Sequence, residues 1–252
     1  MIMKRRIIMN YVVIFAGGVG SRMSSKLGPI QYMEVEEKPI LIYTLERFST
    51  NELIDKIVVV VACDYVRYVE ELVARFKVDK VVAIVVGGDC SHASIIEGIK
   101  AVKKDGASDD NMILFHDGIR PIINQFTICN CIKGAEENGN SITCIPAIET
   151  FAQSLDRACV DSVTIREDMF SLQAPQAYHF KDAYELNQRA IQEGIVGTVA
   201  DQAELNCYYG KTLYLCEGLH GNTKIKYPID FTYFEFLVKS GKYQKIVNDM
   251  PF

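Results

Sequence analysis

Residues 16–23 read Ala16-Gly17-Gly18-Val19-Gly20-Ser21-Arg22-Met23, directly after the apolar run 11–15. A strand that ends there turns on glycines. Glycine lets backbone N–H groups approach an oxyanion with no side chain in the way. Arg22 adds a permanent planar charge. Ala16, Gly17, Gly18, Gly20 and Arg22 together are chemistry for holding a triphosphate. The dinucleotide-binding fingerprint fits poorly, because Met23 stands at its third glycine and the first acid at a strand end is Asp64. The P-loop pattern fails as well, since no Gly-Lys-Ser or Gly-Lys-Thr follows. What remains is a nucleotide loop of another type, or a structural turn with a solvated arginine.

Three further groups can carry chemistry. His116-Asp117-Gly118-Ile119-Arg120-Pro121 follows an apolar run. A carboxylate at a strand's carboxyl end is well placed for Mg²⁺, which takes few carboxylates and completes its shell with phosphate oxygens and water. Asp117 is the metal candidate, with a helix-capping role as the alternative. Arg120 can orient it or the nucleotide, and His116 reads as a packed histidine rather than a catalyst. Gly87-Gly88-Asp89-Cys90-Ser91-His92-Ala93-Ser94 is a second strand-to-helix turn. Gly88 allows close approach of a base or ribose, Ser94 is placed to donate to it, and Ser91 suffices as a cap. Far downstream lie Arg166 with Gln173-Ala174-Pro175-Gln176, and the stretch Asn222-Thr223-Lys224-Ile225-Lys226-Tyr227-Pro228-Ile229-Asp230. Lys224 and Arg166 are candidate clamps for a second anion, or surface charges.

The elements that must position these residues follow from hydrophobic patterning. Apolar, β-branched runs occupy 11–15, 56–62, 81–86, 112–116, 141–146 and 212–216. Continuous rather than alternating runs predict a sheet buried on both faces. Helices are predicted between them, over 39–48, 65–76, 92–103, 125–138 and 181–192. This alternation predicts right-handed βαβ units and a doubly wound α/β sheet, with ligand at the carboxyl ends of the strands. Residues 147–172 break the rhythm and predict an extended arm, packed on a partner subunit or covering a site. No repeat or linker appears, so a single domain over 1–252 is expected.

Composition narrows the class. The net charge of −5 argues against a general nucleic-acid binder, so phosphate-binding cations must be gathered locally. Nothing approaches the ~20 apolar residues of a membrane span. Residues 1–10 read as a lead-in to the first strand, without the apolar core of a signal peptide; Met3 and Met9 are alternative starts. Eight cysteines lack paired Cys-x-x-Cys spacing, which predicts reduced, buried, cytoplasmic thiols rather than a zinc site.

In combination, Ala-Gly-Gly-x-Gly-x-Arg-Met, His-Asp-Gly-Ile-Arg-Pro, Gln-Ala-Pro-Gln and Asn-Thr-Lys-Ile-x-x-Pro-x-Asp resemble the cytidylyltransferases of polyol phosphates, over about residues 11–237. Two branches matter: the methylerythritol-4-phosphate enzymes of isoprenoid synthesis and the ribitol-5-phosphate enzymes of teichoic acid and capsule synthesis. The resemblance implies a mostly parallel, Rossmann-like nucleotidyltransferase fold, CTP as nucleotide, Mg²⁺ as cofactor and a homodimer joined through the arm. It implies that Arg22 stabilises the transition state at the triphosphate cradle. Gly88, Asp89 and Ser94 would read cytosine and ribose, and Asp117 would bind magnesium beside Arg120. Thr150, Arg166 and Lys224 would contact the acceptor, with Asp201 joining them, in the family from the partner subunit. Ile30 of Pro29-Ile30-Gln31 stands where the family carries a lysine, and Lys26 is the alternative cation nearby. Loss of such a cation costs roughly 10²–10³ in rate by analogy with oxyanion donors. The longer Arg22-to-Pro29 stretch resembles the ribitol-phosphate branch. The alternatives from other classes are a dinucleotide-dependent oxidoreductase, which NADH binding would reveal, and a nucleotide-binding homologue without turnover.

Overall fold

The structure, a computed structural model, describes residues 8–18 and 28–248. The six apolar runs, joined by β6, become the strands of one seven-stranded sheet: β1 (Asn10–Ala16), β2 (Lys56–Val61), β3 (Val81–Val86), β4 (Met112–Asp117), β5 (Asn140–Pro146), β6 (Phe170–His179) and β7 (Leu215–Glu217). The helices among the described residues are α1 (Ile40–Ser49), α2 (Val66–Arg75), α3 (Ser91–Lys104), α4 (Gln125–Asn138), α5 (Phe180–Gln192), α6 (Gln202–Tyr208), α7 (Pro228–Lys239) and α8 (Lys242–Asn248).

The spatial order is β7-β5-β6-β4-β1-β2-β3. β1 pairs in parallel with β2 and β4, β2 with β3, and β5 with β7, whereas β6 runs antiparallel to β4 and β5. Side chains alternate along β1. Val12 and Ile14 pack with Leu41, Phe48, Val69 and Ile132 of α1, α2 and α4. Tyr11 and Val13 pack on the opposite face with Ile95, Ile99 and Phe180 of α3 and α5. Both faces are covered, which is why these strands read as continuous apolar runs. A third cluster gathers Ile30, Ile40, Tyr43, Ile225, Phe234 and Tyr243, and seats α7 and α8.

Strand order reverses between β1 and β4, so the loops leaving their carboxyl ends diverge around a crevice. Register places Phe15 beside Asp117, and the two sequence-predicted turns therefore emerge side by side. The backbones nearly touch there. Gly118 N–H donates to the Phe15 carbonyl at 2.8 Å, and a Cβ on Gly118 would lie 2.9 Å from that oxygen and 3.0 Å from Leu41 Cδ1.

Three features differ from the sequence expectation. β6 is a central strand that patterning did not anticipate, because Pro175 and two glutamines interrupt it. A register shift between Leu172 and Gln176 absorbs the proline, and the Thr143 hydroxyl donates to the Pro175 carbonyl at 2.7 Å. β7 begins at Leu215 rather than 212, and α6, α7 and α8 were not foreseen. The cysteines are free, yet Cys63, Cys159 and Cys207 are exposed rather than buried, since they lie on a 3-10 turn, in the arm and on the outer face of α6 instead of in strands.

The predicted arm is present and ends earlier, at the start of β6. It holds a short antiparallel ribbon, Ala152–Gln153 with Ser162–Val163, and a 3-10 turn at Arg166–Asp168. Several of its apolar residues are left uncovered among the described residues: Ile148, Leu155, Val160, Val163 and Ile165 are exposed, Leu155 by 81%. No helix among the described residues is long and apolar enough to cross a membrane.

Candidate active site

β4 delivers Asp117 to the crevice between two cations. Arg120 Nε lies 2.8 Å from Oδ2, and Lys224 Nζ lies 2.6 Å from Oδ1. Burial pushes this carboxyl up, but Lys224 and Arg120 outweigh it and hold it well below the usual carboxylate range. It therefore stays charged at any ordinary pH. Arg120 is fixed from its far side, where Nη1 donates to the Asn222 carbonyl at 2.8 Å. The Thr44 hydroxyl on α1 donates to the Gly118 carbonyl at 2.9 Å and pins the same turn.

His116 lies beneath, as the packed histidine expected. Its Nε2 is 3.2 Å from the Arg120 carbonyl, so Nε2 carries the hydrogen, and its ring rests against Phe48 at 4.7 Å. Nδ1 is buried without a partner. Burial lowers its pKa from 6.5 to about 4. Between those values the unfolded chain binds more protons, so this contribution to stability is complete above pH 6.5 and is lost as pH falls toward 4. His116→Gln is expected to flatten the fall in melting temperature across that window. An unchanged calorimetric slope would contradict a buried neutral imidazole.

Lys224 reaches Asp117 because a buckle holds its loop. Asn222 is fully buried, and its Nδ2 donates to the Ala174 carbonyl at 2.6 Å and to Gln173 Oε1 at 3.5 Å. Gln173 Nε2 donates to the Leu219 carbonyl at 3.1 Å. Ile225 N–H donates to the Ile119 carbonyl at 2.9 Å while its side chain enters the third apolar cluster. The Gln-Ala-Pro-Gln segment thus holds the loop rather than presenting side chains to the crevice. Its Gln176 donates to Asp201 Oδ2 at 3.4 Å. Asp201 in turn caps α6 by accepting from Glu204 N–H at 2.9 Å.

The loop after β3 is equally tight. A Cβ on Gly88 would sit 2.4 Å from the Ala93 Cβ, so glycine is required by packing there. Ser94 Oγ accepts from Gly88 N–H at 3.2 Å and lies 3.3 Å from its carbonyl. Cys90, not Ser91, caps α3, its sulfur accepting from Ala93 N–H at 3.3 Å. Asp89 is exposed beside it. Buried His92 accepts from Gly197 N–H at Nδ1 (3.4 Å) and donates from Nε2 to Asn187 Oδ1 (3.1 Å). Asn187 donates to Gln202 Oε1 at 2.8 Å. This chain of bonds ties the Gly88 loop to the segment that carries Asp201.

Of the sequence-predicted residues, Ala16, Gly17, Gly18, Asp117, Arg120 and Lys224 sit on the two turns and the loop just described. Thr150 and Arg166 are exposed on the arm, and Arg166 pairs with Glu167 at 3.4 Å. Gly20, Arg22 and Lys26 lie outside the described residues. Ile30 is buried in the third apolar cluster, so its side chain anchors the segment. The sequence reading missed Thr44, His92, Gln173 and Asn222 as holders of the site; His92, Gln173 and Asn222 stood inside quoted motifs, and Thr44 carried no signal. Among the described residues no cluster of three His, Cys, Asp or Glu side chains forms a metal cage, which leaves Asp117 as a single carboxylate. A cavity of about 320 Å³ lies at the opposite end of the sheet, lined by Asn140, Tyr178, Arg189 and Tyr214 among others, away from this chemistry.

A family model described as "2-C-methyl-D-erythritol 4-phosphate cytidylyltransferase", IspD, matches residues 10–240. The chain belongs to this family. A cytidylyltransferase of the IspD family is a nucleotidyltransferase, here one acting on a polyol phosphate. The ribitol-5-phosphate cytidylyltransferase of Streptococcus agalactiae serotype III (strain NEM316) is 38% identical over 238 residues, covering 94% of this chain and 99% of that protein. The 2-C-methyl-D-erythritol 4-phosphate cytidylyltransferase of Clostridium botulinum (strain Loch Maree / Type A3) is 34% identical over 221 residues, covering 88% and 93%. Among solved structures, 4-diphosphocytidyl-2C-methyl-D-erythritol synthase from Anaerococcus prevotii superposes with a TM-score of 0.78 at 25% identity, covering 92% of this chain and 96% of that one.

Proposed function

We propose that the chain transfers CMP from CTP to ribitol 5-phosphate, forming a CDP-polyol and releasing pyrophosphate. The observation that carries this reading is the convergence of Lys224 and Arg120 on Asp117, next to the glycine turn at the carboxyl ends of β1 and β4. An acceptor phosphate oxygen attacks the α-phosphorus, the bond to the bridging oxygen breaks, and pyrophosphate leaves with that electron pair. Both reactants are anions, so the barrier is chiefly repulsion and orientation. A unit-charge pair at ~4 Å in an effective dielectric near 20 is worth about 4 kcal/mol, so a few fixed cations decide the rate.

The roles divide by place. Ala16, Gly17 and Gly18, with Gly20 and Arg22, hold the triphosphate. Gly88, Asp89 and Ser94 read the base and ribose. Lys224, Arg166, Thr150 and Asp201 serve the acceptor. Asp117 suits Mg²⁺, because a lone carboxylate leaves most of the ion's shell to phosphate oxygens and water. When bound, the ion neutralises triphosphate charge; Arg120 keeps Asp117 ionised and aimed whether or not Lys224 swings to a phosphate. The ribitol acceptor is supported by the stretch between Arg22 and Pro29 and by the Streptococcus relative. Methylerythritol 4-phosphate is the second reading, favoured by the family description and the Clostridium relative. Free thiols and a nucleotide substrate fit a cytoplasmic enzyme of one nucleotidyltransferase domain.

The arm completes the picture as a dimer contact, since its uncovered apolar residues need a partner. Val163→Asp with Ile165→Asp is expected to halve the mass measured by light scattering; a double variant that keeps the wild-type mass argues against the arm.

The decisive experiment is pyrophosphate release with CTP and Mg²⁺ against ribitol 5-phosphate, methylerythritol 4-phosphate and other sugar-alcohol phosphates. Release with ribitol 5-phosphate is expected. Preference for methylerythritol 4-phosphate selects the second reading, and CTP binding without release with any acceptor makes the chain a nucleotide binder.

A further inference from the structure

We infer that Gln31 is a positioning residue for the triphosphate, a reading that rests on the CTP-dependent activity proposed above. Its side chain is 2% exposed. Both hydrogens of its amide are used: Nε2 donates to the Ala16 carbonyl and to the Gly18 carbonyl, each at 2.7 Å. These two oxygens flank Gly17 at the end of β1. A carbonyl oxygen is the negative end of its peptide and repels an approaching phosphate, whereas an N–H attracts it. Holding both oxygens on one buried amide turns the negative ends of the loop toward the protein.

The latch is itself anchored. Gln31 lies in a 3-10 turn, Ile30–Tyr32, closed by Tyr32 N–H to the Pro29 carbonyl at 3.0 Å and Met33 N–H to the Ile30 carbonyl at 3.2 Å. Ile30 roots that turn in the third apolar cluster beside Ile40 and Ile225, and Tyr32 stacks on Tyr65 at 4.6 Å. The same turn therefore ties the two ends of the glycine loop together. At position 30 an apolar side chain supplies anchorage, and the neighbouring glutamine supplies orientation.

The test is a series of Gln31→Met, Gln31→Asn and Gln31→Glu, read by CTP binding calorimetry with Mg²⁺ and by separate KM values for CTP and the polyol phosphate. Gln31→Met keeps the shape and removes both donors, and is expected to raise KM for CTP about 10- to 100-fold. Gln31→Glu adds a carboxylate against two carbonyl oxygens and is expected to be worse. Gln31→Asn, one methylene shorter, is expected to fall between wild type and Gln31→Met. KM for the polyol phosphate is expected to stay within about threefold in all three. A Gln31→Met variant that binds CTP like the wild type overturns the inference, as does an equal rise in both KM values, which marks a purely structural side chain. Should Gln31→Met fail to fold, the ranking of Asn against Glu decides by the same criteria. A wild-type chain that binds no CTP would instead overturn the functional reading beneath it.

Discussion

Replacing Lys224 by alanine is expected to lower turnover by roughly 10²–10³-fold, the scale of losing one well-placed donor to developing charge. Its ammonium lies 2.6 Å from Asp117 Oδ1 in a half-exposed position, close enough to the crevice to exchange one anion for another. The neighbouring Ile225 is held by both backbone and side chain, so the point from which Lys224 extends does not wander. Folding should survive, because Arg120 remains on Asp117 and keeps that carboxylate charged. Steady-state pyrophosphate release together with a thermal melt checks this. A Lys224→Ala enzyme within about threefold of wild-type turnover, with its melting temperature unchanged, would remove Lys224 from the chemistry. Arginine at this position should restore charge but not full rate, since a guanidinium is larger and differently directed.

Asp117→Asn is expected to cost both activity and stability. Among the described residues the carboxylate bridges the Arg120 and Lys224 side chains, and it is 25% exposed. Asparagine leaves two cations facing each other with no compensating charge. Breaking such a partly buried arrangement costs about 1–3 kcal/mol, and the loss of the carboxylate proposed to hold magnesium should lower turnover by at least the factor expected for Lys224→Ala. The Mg²⁺ concentration for half-maximal rate should rise at the same time. The double variant Asp117→Asn with Lys224→Ala should be more stable than Asp117→Asn alone, because it removes the uncompensated cation. Chemical denaturation of the four proteins tests that sign. Strictly additive stabilities would show that the two side chains do not interact across the crevice.

Much of the site was legible in the residue order because its parts are local. A strand that runs into glycines, or into His-Asp-Gly-Ile-Arg, advertises a turn with backbone amides or a carboxylate at its end, and the doubly wound pattern says which end of the sheet will hold them. The helix at Gln125–Asn138 matches its sequence prediction in both bounds. The strand carrying Pro175 did not advertise itself. Its pairing depends on a register shift and on the Thr143 hydroxyl, and neither is a property of the segment's own composition.

By itself, the order of residues determined the alternating strands and helices, the sheet buried on both faces, the placement of the glycine turn and of the Asp117 turn at the carboxyl ends of strands, and an excursion too irregular to join the core. These follow from hydrophobic period and from the backbone freedom of glycine, both of which act over a few residues. Tertiary structure alone decided that Lys224 meets Asp117 across 107 positions of chain, that Ile30 faces an apolar cluster, and that Gln31 turns inward onto the carbonyls of Ala16 and Gly18. The direction a side chain takes is set by which distant surfaces need filling and which buried oxygens need a donor. Those partners exist only once the sheet has closed on its helices.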